Sequence, residues 1–457
     1  MISNTLYYVI SAILVLMVFS GIFLLSKPKT ATFGNLISVV AVVLAVIVTF
    51  IYYEIFNLWY LYISIGLGFI IGAIIAYKVK MIKMPDLIAI LNGLGGLASL
   101  IVGIFALYEI GGDATYFSIT ASMLAIVIGS ITFVGSIIAF LKLARLIPSK
   151  PIKIIGYTPI VIVVSILIIG FVFATFFIPI SPIYLVIIGL LASIFLAVIA
   201  TIAIGGADMP IAISLLNSFS GLAAAITGLA ISELILVAFG SIVGASGLIL
   251  TRIMSKAMNK SLLQIITGKT TTTGTYISKE VEESNEEVVI DDPAIVFKEA
   301  KKVIIVPGYG MAISQAQHEV RKIYDMLLES GKDIRFAIHP IAGRMPGHMN
   351  VLLAEVSIDY DHLYDLDDIN DEFLTTDLVI VIGANDVINP ASKTHEGTPI
   401  YGMPILNVSD SKHIFIFNYD LNPGYSGVEN PLYKRKSGVT LFLGDAKDTL
   451  KEFIQSL

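Results

Sequence analysis

The sequence predicts a polytopic α-helical membrane domain of about nine transmembrane helices, followed by a Rossmann-like α/β domain with a doubly wound parallel sheet. Three observations carry this. Of the 457 residues, 56% are hydrophobic and only 14% charged, and the mean hydropathy is +0.87. A soluble protein has about 25% charged residues. The charges are unevenly spread, few before residue 260 and ordinary in density after about 270. A strand, a glycine turn and a helical pattern then follow from Lys301.

A spanning helix needs about 20 mostly apolar residues. Nine runs qualify: 4–26, 33–53, 58–77, 86–108, 116–141, 158–178, 182–204, 208–230 and 232–254. The first lacks a basic leader and a small-residue cleavage site, so it reads as a retained helix. Basic residues set the orientation. They follow helix one (Lys27, Lys29), helix three (Lys78, Lys80, Lys83), helix five (Lys142, Arg145, Lys150, Lys153) and helix nine (Arg252, Lys256, Lys260). The intervening connections hold Glu54, Glu109, Asp113 and Glu233 and no Lys or Arg. This alternation puts the N-terminus outside and the C-terminal domain in the cytoplasm of a cell with the chain in its (inner) membrane. The expected domains are 1–260 in the bilayer, a linker over 261–300 and a cytoplasmic domain over 301–457. The linker combines Thr270–Thr273 with an acidic run from Glu280 to Asp292, the composition of a solvated tether.

With no cysteine in the chain, disulfides, thiolate metal sites and cysteine nucleophiles are excluded. No metal site and no nucleic-acid partner are expected.

In the cytoplasmic domain, Val303–Val306 reads as a strand, Pro307-Gly308-Tyr309-Gly310 as a turn and Met311 to Glu329 as a helix. Gly308-x-Gly310 is a dinucleotide fingerprint whose third glycine is replaced by Ile313. The first glycine permits the turn, and the second lets the backbone approach a pyrophosphate. The helix start offers amides to phosphate. A glycine turn after a strand also serves plain chain geometry. Apolar runs at 334–338, 378–382, 413–417 and 439–443 supply further parallel strands. The second strand ends in His339-Pro340, where an NAD domain places an acid for the ribose 2′-hydroxyl. Either the site is not NAD-specific or the nucleotide lies differently across the sheet.

Several longer stretches carry more. PGYGMAISQAQ (307–317), IHPIAGRMPGHMNVLLAE (338–355), VIGANDVINPAS (381–392), GMPIL (402–406), NPGYSGVENP (422–431) and LGDAK (443–447) resemble the NADP(H)-binding domain of proton-translocating nicotinamide nucleotide transhydrogenases. IGGADMPIAISLLNSFSG (204–221) resembles that family's proton-channel helix, and nine helices match its beta subunit. The resemblance spans essentially the whole chain.

It implies an enzyme of the Si/Re-specific type, transferring hydride between NAD(H) on a partner and NADP(H) on this chain while protons cross the membrane. The expected partners are one or more NAD-binding alpha subunits and the lipid bilayer, with a dimer of the complete unit. Gly308, Tyr309 and Gly310 would lie along the pyrophosphate, with Met311 and Ala312 behind them, in an orientation inverted from ordinary dinucleotide domains. Gly343 and Arg344 would meet phosphate. Gly383, Ala384 and Asn385 would lead to Asp386, beside the nicotinamide, where it couples redox state to protonation; loop capping is the plainer role for that carboxylate. Gly424 and Tyr425 would belong to a lid, and Gly444, Asp445 and Ala446 would close the site.

In the membrane, Asp208 and Asn217 match the family's polar positions near the proton path, with Asn92 and Ser136 as further candidates. Intramembrane polar groups are costly and usually functional. Asp208 also stands next to Pro210 at a helix end, where capping competes, and small polar side chains also serve helix packing. Two departures from the family stand out. All six histidines (318, 339, 348, 362, 395 and 413) lie in the cytoplasmic domain, and Asn92 occupies a position where many members have histidine. A proton relay then needs Asp208, bound water or a partner's residue. The second departure is Asn418-Tyr419-Asp420, where members usually place Lys-Arg on the NADP 2′-phosphate. Lys434, Arg435 and Lys436 lie downstream as substitutes. A membrane transporter or channel gated by a nucleotide-sensing domain remains the competing class; a dehydrogenase merely anchored in the membrane needs one helix, not nine.

Overall fold

The computed structural model describes residues 3–25, 28–79, 83–109, 116–148, 152, 154–177, 181–206, 208–259, 261–266, 292–343, 347–424, 426–435 and 437–457. The chain divides into two compact units, Met1–Thr251 and Arg252–Leu457. Arg344, Tyr425, Lys436 and most of the expected linker lie outside the described residues.

The helices of the first unit are α1 (Asn4–Leu25), α2 (Pro28–Tyr52), α3 (Trp59–Lys78), α4 (Met84–Glu109), α5 (Tyr116–Leu143), α6 (Tyr157–Ala174), α7 (Pro182–Ile202), α8 (Met209–Ala230) and α9 (Leu234–Ala257). Among the described residues these nine are long and apolar enough to cross a bilayer. The chain is a multi-pass membrane protein.

Helix α5 is the centre of the packing, against α4, α7 and α8. Its Met123, Ile126 and Val127 meet Leu100 and Leu107 of α4, Ile168 and Val172 of α6 and Leu185 of α7. Between α4 and α5 the backbones touch: a Cβ on Gly96 would sit 2.7 Å from the Gly129 carbonyl oxygen, and one on Gly129 2.7 Å from that of Gly96. In lipid, such close approach replaces the missing hydrophobic drive between helices. A second cluster joins Tyr7 and Leu14 of α1, Ala45 of α2 and Ile235 of α9. There the Tyr7 and Tyr53 hydroxyls both donate to Glu233. Helix α3 buries none of its residues within the chain.

The second unit adds α10 (Leu262–Ile266) and α11 (Pro293–Glu299) before β1 (Lys302–Pro307). Next come α12 (Tyr309–Ser314), α13 (Gln317–Glu329), β2 (Asp333–Ile338), α14 (His348–Glu355), β3 (Leu363–Asp365) and α15 (Leu366–Ile369). The second half holds β4 (Leu378–Ile382), α16 (Ala391–Thr394), β5 (His413–Asn418), β6 (Val439–Leu443) and α17 (Ala446–Ser456). The six strands are all parallel in the order β3-β2-β1-β4-β5-β6. This is the doubly wound order, with its switch point between β1 and β4. Every residue of β4 is buried, as a strand covered on both faces requires. Phe415, Phe417, Phe442 and Phe453 pack α17 onto β5 and β6.

Two expectations are corrected. The helix read as Met311 to Glu329 is two helices, broken at Gln315, whose φ of 55° is left-handed. Lys142, counted as a loop charge after helix five, lies inside α5 and is 1% exposed. The three-residue β3 is an addition to the expected strands.

Candidate functional site

Because all strands run parallel, their carboxyl ends gather on one edge, and the turns after β1 and β4 meet at its centre. The Gly308 amide donates to the Ile382 carbonyl and the Gly310 amide to Gly383, both at 2.8 Å. A Cβ on Gly310 would sit 2.6 Å from the Gly383 Cα, and Gly383 itself has φ +65°. The two turns are therefore fused backbone to backbone, and only glycine fits at either contact. Met311 and Ala312 are buried directly behind. The result is a side-chain-free ledge at the switch point, where a doubly wound sheet receives a pyrophosphate.

His339 ends β2. It is 2% exposed; its Nε2 bonds the Pro404 carbonyl at 2.8 Å, and its Nδ1 accepts from the Ile341 amide at 3.3 Å. Burial pushes its pKa down to about 4, so the ring is neutral, with Nε2 protonated. Both nitrogens thus shape the loop that runs to Gly343, which stands at φ +105° against His348. The residue after β2 is a loop support, not a ribose reader.

After β4, Asp386 holds the segment expected to form a lid. Its Oδ1 accepts from the Ser426 hydroxyl at 2.6 Å and its Oδ2 from the Ser426 amide at 3.0 Å. A Cβ on Gly424 would fall 2.7 Å from both carboxylate oxygens. Asn385 donates to the Asn422 carbonyl at 3.0 Å, and Asn389 to that of Glu429 at 3.2 Å. Ser426, Asn389 and Asn430 were not singled out from sequence; their signal was only their place inside the quoted motifs.

The end of β5 differs from what a phosphate clamp requires. The Asn418 amide turns inward, donating to the Ala384 carbonyl at 3.1 Å and the Tyr433 hydroxyl at 2.7 Å. Burial, ahead of any charge, raises the Tyr433 pKa. Tyr419 is 78% exposed. Asp420 is exposed, with Oδ1 accepting from the Asn422 amide at 3.0 Å and Oδ2 from the Asn422 side chain at 2.8 Å. Of the downstream cations described, Lys434 pairs with Glu429 at 2.7 Å, and Arg435 donates to the Ser409 carbonyl at 2.9 Å. Gly444 donates its amide to the Asn418 carbonyl at 3.0 Å. Asp445 caps α17 through the Lys447 amide at 2.9 Å, and Ala446 is buried. At the end of β5 itself, Asn418, Tyr419 and Asp420 supply no cation for a 2′-phosphate.

In the membrane unit, Asn92 is buried on α4 and donates to the Ile213 carbonyl of α8 at 3.2 Å. Ser136 of α5 is fully buried, its Cβ 3.2 Å from where one would stand on Gly93, the residue after Asn92. Asn217 lies one turn beyond Ile213 on α8 and is half-buried. Asp208 stands at the N-cap of α8, 3% exposed, yet its side chain makes no cap hydrogen bond. The capping role considered from sequence is therefore not the one it plays here. Sequence reasoning missed Lys142, whose Nζ donates to the Ile202 and Ile204 carbonyls at 2.6 Å each, satisfying the end of α7. Nothing in the local sequence separates a buried lysine at a helix end from a cytoplasmic loop lysine. Among the described residues no cluster of His, Asp and Glu could hold a metal ion.

Comparison with known proteins adds a name to this geometry. The family model described as NAD(P) transhydrogenase beta subunit matches residues 4–456. Two curated sequences of NAD(P) transhydrogenase subunit beta from Rhodospirillum rubrum, one assigned to a named strain, are each 39% identical over 463 residues, covering 98% of both chains.

Proposed function

The chain belongs to the NAD(P) transhydrogenase beta-subunit family, and we propose that it exchanges hydride between a dinucleotide on its C-terminal unit and one on a separate NAD-binding subunit, coupled to proton translocation. The observation that carries this is the single glycine ledge at the β1/β4 switch point. Hydride transfer needs two nicotinamides within reacting distance, so a chain with one such site among its described residues needs a partner to bring the second. NADP(H) here and NAD(H) on the partner is the assignment that the family resemblance implies.

The ledge would hold the pyrophosphate without side-chain interference, Asp386 would hold the 422–428 segment over the nicotinamide end, and Asn92, Ser136, Asn217 and Asp208 would line the proton's route. Exchange between two like rings is nearly neutral by itself. One proton falling through about 150 mV supplies about 3.5 kcal/mol, roughly a 300-fold shift in product ratio. The orientation read from the basic loops places the N-terminus outside and the nucleotide unit in the cytoplasm of a multi-pass protein of the cell membrane, in a dimer of the complete enzyme.

Co-reconstitution with an NAD-binding alpha subunit in vesicles tests this. Proton uptake should accompany each hydride transferred, and the chain alone should transfer none. Full activity of the chain alone, or transfer with no proton movement, would overturn the proposal.

A further inference from the structure

We propose that Tyr433 is a positioning residue for the hydride step: its hydroxyl fixes two side-chain amides that hold the turn carrying Asp386. This rests on the reading above, in which Asp386 keeps the 422–428 segment over the nicotinamide end. Tyr433 sits in the short turn Pro431–Lys434, half-buried, with its ring against the core of the sheet. Burial raises its pKa, so the phenol keeps its proton. Two buried asparagines meet the hydroxyl. Asn418, the last residue of β5, donates to it at 2.7 Å and also to the Ala384 carbonyl at 3.1 Å. Asn430 bonds the same hydroxyl, and its amide reaches the carbonyl and side-chain oxygens of Asn385 at 3.4 and 3.3 Å. The Asn430 Oδ1 is occupied by the Leu432 amide at 3.1 Å.

Ala384 and Asn385 are the two residues before Asp386, so both amides end on the backbone that aims the carboxylate. An asparagine amide carries two hydrogens. In Asn418 one is given to Tyr433 and the other to the turn. Without the hydroxyl, each amide keeps a buried hydrogen with no acceptor, which is costly. Rotating away from the turn relieves that cost and frees the turn. The turn also bonds the 422–428 segment, through Asn385 to the Asn422 carbonyl at 3.0 Å and through Asp386 to Ser426. A segment that must open for a nucleotide cannot be what fixes the turn. The Tyr433 hydroxyl, anchored by a ring packed on the core, can.

The full chain, reconstituted with an NAD-binding alpha subunit, gives the hydride-transfer rate at saturating nucleotide together with KM. A full ångström of misplacement can cost about 100-fold in rate. Tyr433→Phe keeps the ring and loosens one turn, so kcat should fall about tenfold while KM changes by less than about twofold. Asn418→Ala removes one of the two amides and should slow the same step, which keeps the test open if Tyr433→Phe does not fold. In an Asp386→Asn background, Tyr433→Phe should slow transfer no further, because it acts through Asp386. A parent-like kcat in either single variant that folds would overturn the proposal. So would an equal fold-loss with and without the Asp386 carboxylate, which would leave Tyr433 a support of the core. A parent chain that transfers no hydride with its partner would instead remove the function on which the proposal rests.

Discussion

Ser426 gives both its hydroxyl and its amide to the Asp386 carboxylate, at 2.6 and 3.0 Å. Two donors from one residue on one carboxylate make a latch between the turn after β4 and the 422–428 segment. Removing the hydroxyl in Ser426→Ala should loosen that segment and speed nucleotide release about tenfold, given about 1.5 kcal/mol for a hydrogen bond to a charged group. Stopped-flow release of bound nucleotide measures it. A rate equal to the parent's would mean that Asp386 does not hold the segment closed.

Gly310→Ala forces a Cβ to 2.6 Å from the Gly383 Cα. Neither backbone can yield without opening the β1/β4 contact. Overpacking of this kind costs about 1–3 kcal/mol, so the variant should melt earlier and lose nucleotide binding. Calorimetry and a nucleotide titration of the same sample check both. Unchanged binding would show that the ledge is not the pyrophosphate site.

The His339 ring gives the second unit a pH dependence of defined sign. Its folded pKa, about 4, lies below the usual 6.5. Below pH 6.5 the unfolded chain therefore binds the proton that the folded one refuses. Stability is full above 6.5 and is lost as pH falls towards 4, by about 3 kcal/mol in all. Protection of the Ile341 and Ala342 amides against hydrogen exchange should decline across that window, and His339→Gln should flatten the decline. A parent chain with pH-independent protection there would contradict it.

Lys142→Met leaves the Ile202 and Ile204 carbonyls without their donor. Two charge-assisted bonds lost inside a bundle amount to about 3 kcal/mol or more. The detergent-solubilised variant should unfold at a lower temperature while still binding nucleotide as the parent does. An unchanged melting point would mean that the α7 end finds another donor.

Asp208→Asn keeps the size of a side chain that is buried at the start of α8 but does not cap it. Proton-coupled turnover in vesicles should fall by at least about tenfold, as for loss of a group acting in proton transfer, with the nucleotide affinity of the chain unchanged. Parent-like coupled rates would remove Asp208 from the proton route.

Runs of about 20 apolar residues can hardly form anything but spanning helices, so all nine were legible, their ends included to within a few residues. The parallel strands were equally plain, because strands buried on both faces read as unbroken apolar runs. What escaped lacked a local mark. Leu363–Asp365 is a short edge strand in an acidic stretch, and neither alternation nor length announces it. The break at Gln315 falls on a residue with no special preference for positive φ. Lys142 is a loop residue by composition and a buried donor only by tertiary packing. The site lay in motifs long enough to resemble a family, yet the partners of Asp386 and Asn418 could not be read from spacing. The hydrogen bonds that bind them span 40 and 34 residues to Ser426 and Ala384. Nor does spacing announce that Lys434 pairs with Glu429 or that Arg435 donates to the Ser409 carbonyl.

The fused glycine turns of β1 and β4 divide this edge into parts that can change and parts that cannot. Gly308, Gly310 and Gly383 present only backbone, and any side chain there collides with the opposite turn. No substitution at the centre can retune which nucleotide is preferred without dismantling the ledge. The exposed residues beyond β5, Tyr419 and Asp420, carry no such constraint. A side chain can therefore be exchanged at those two positions while the backbone ledge stays as it is.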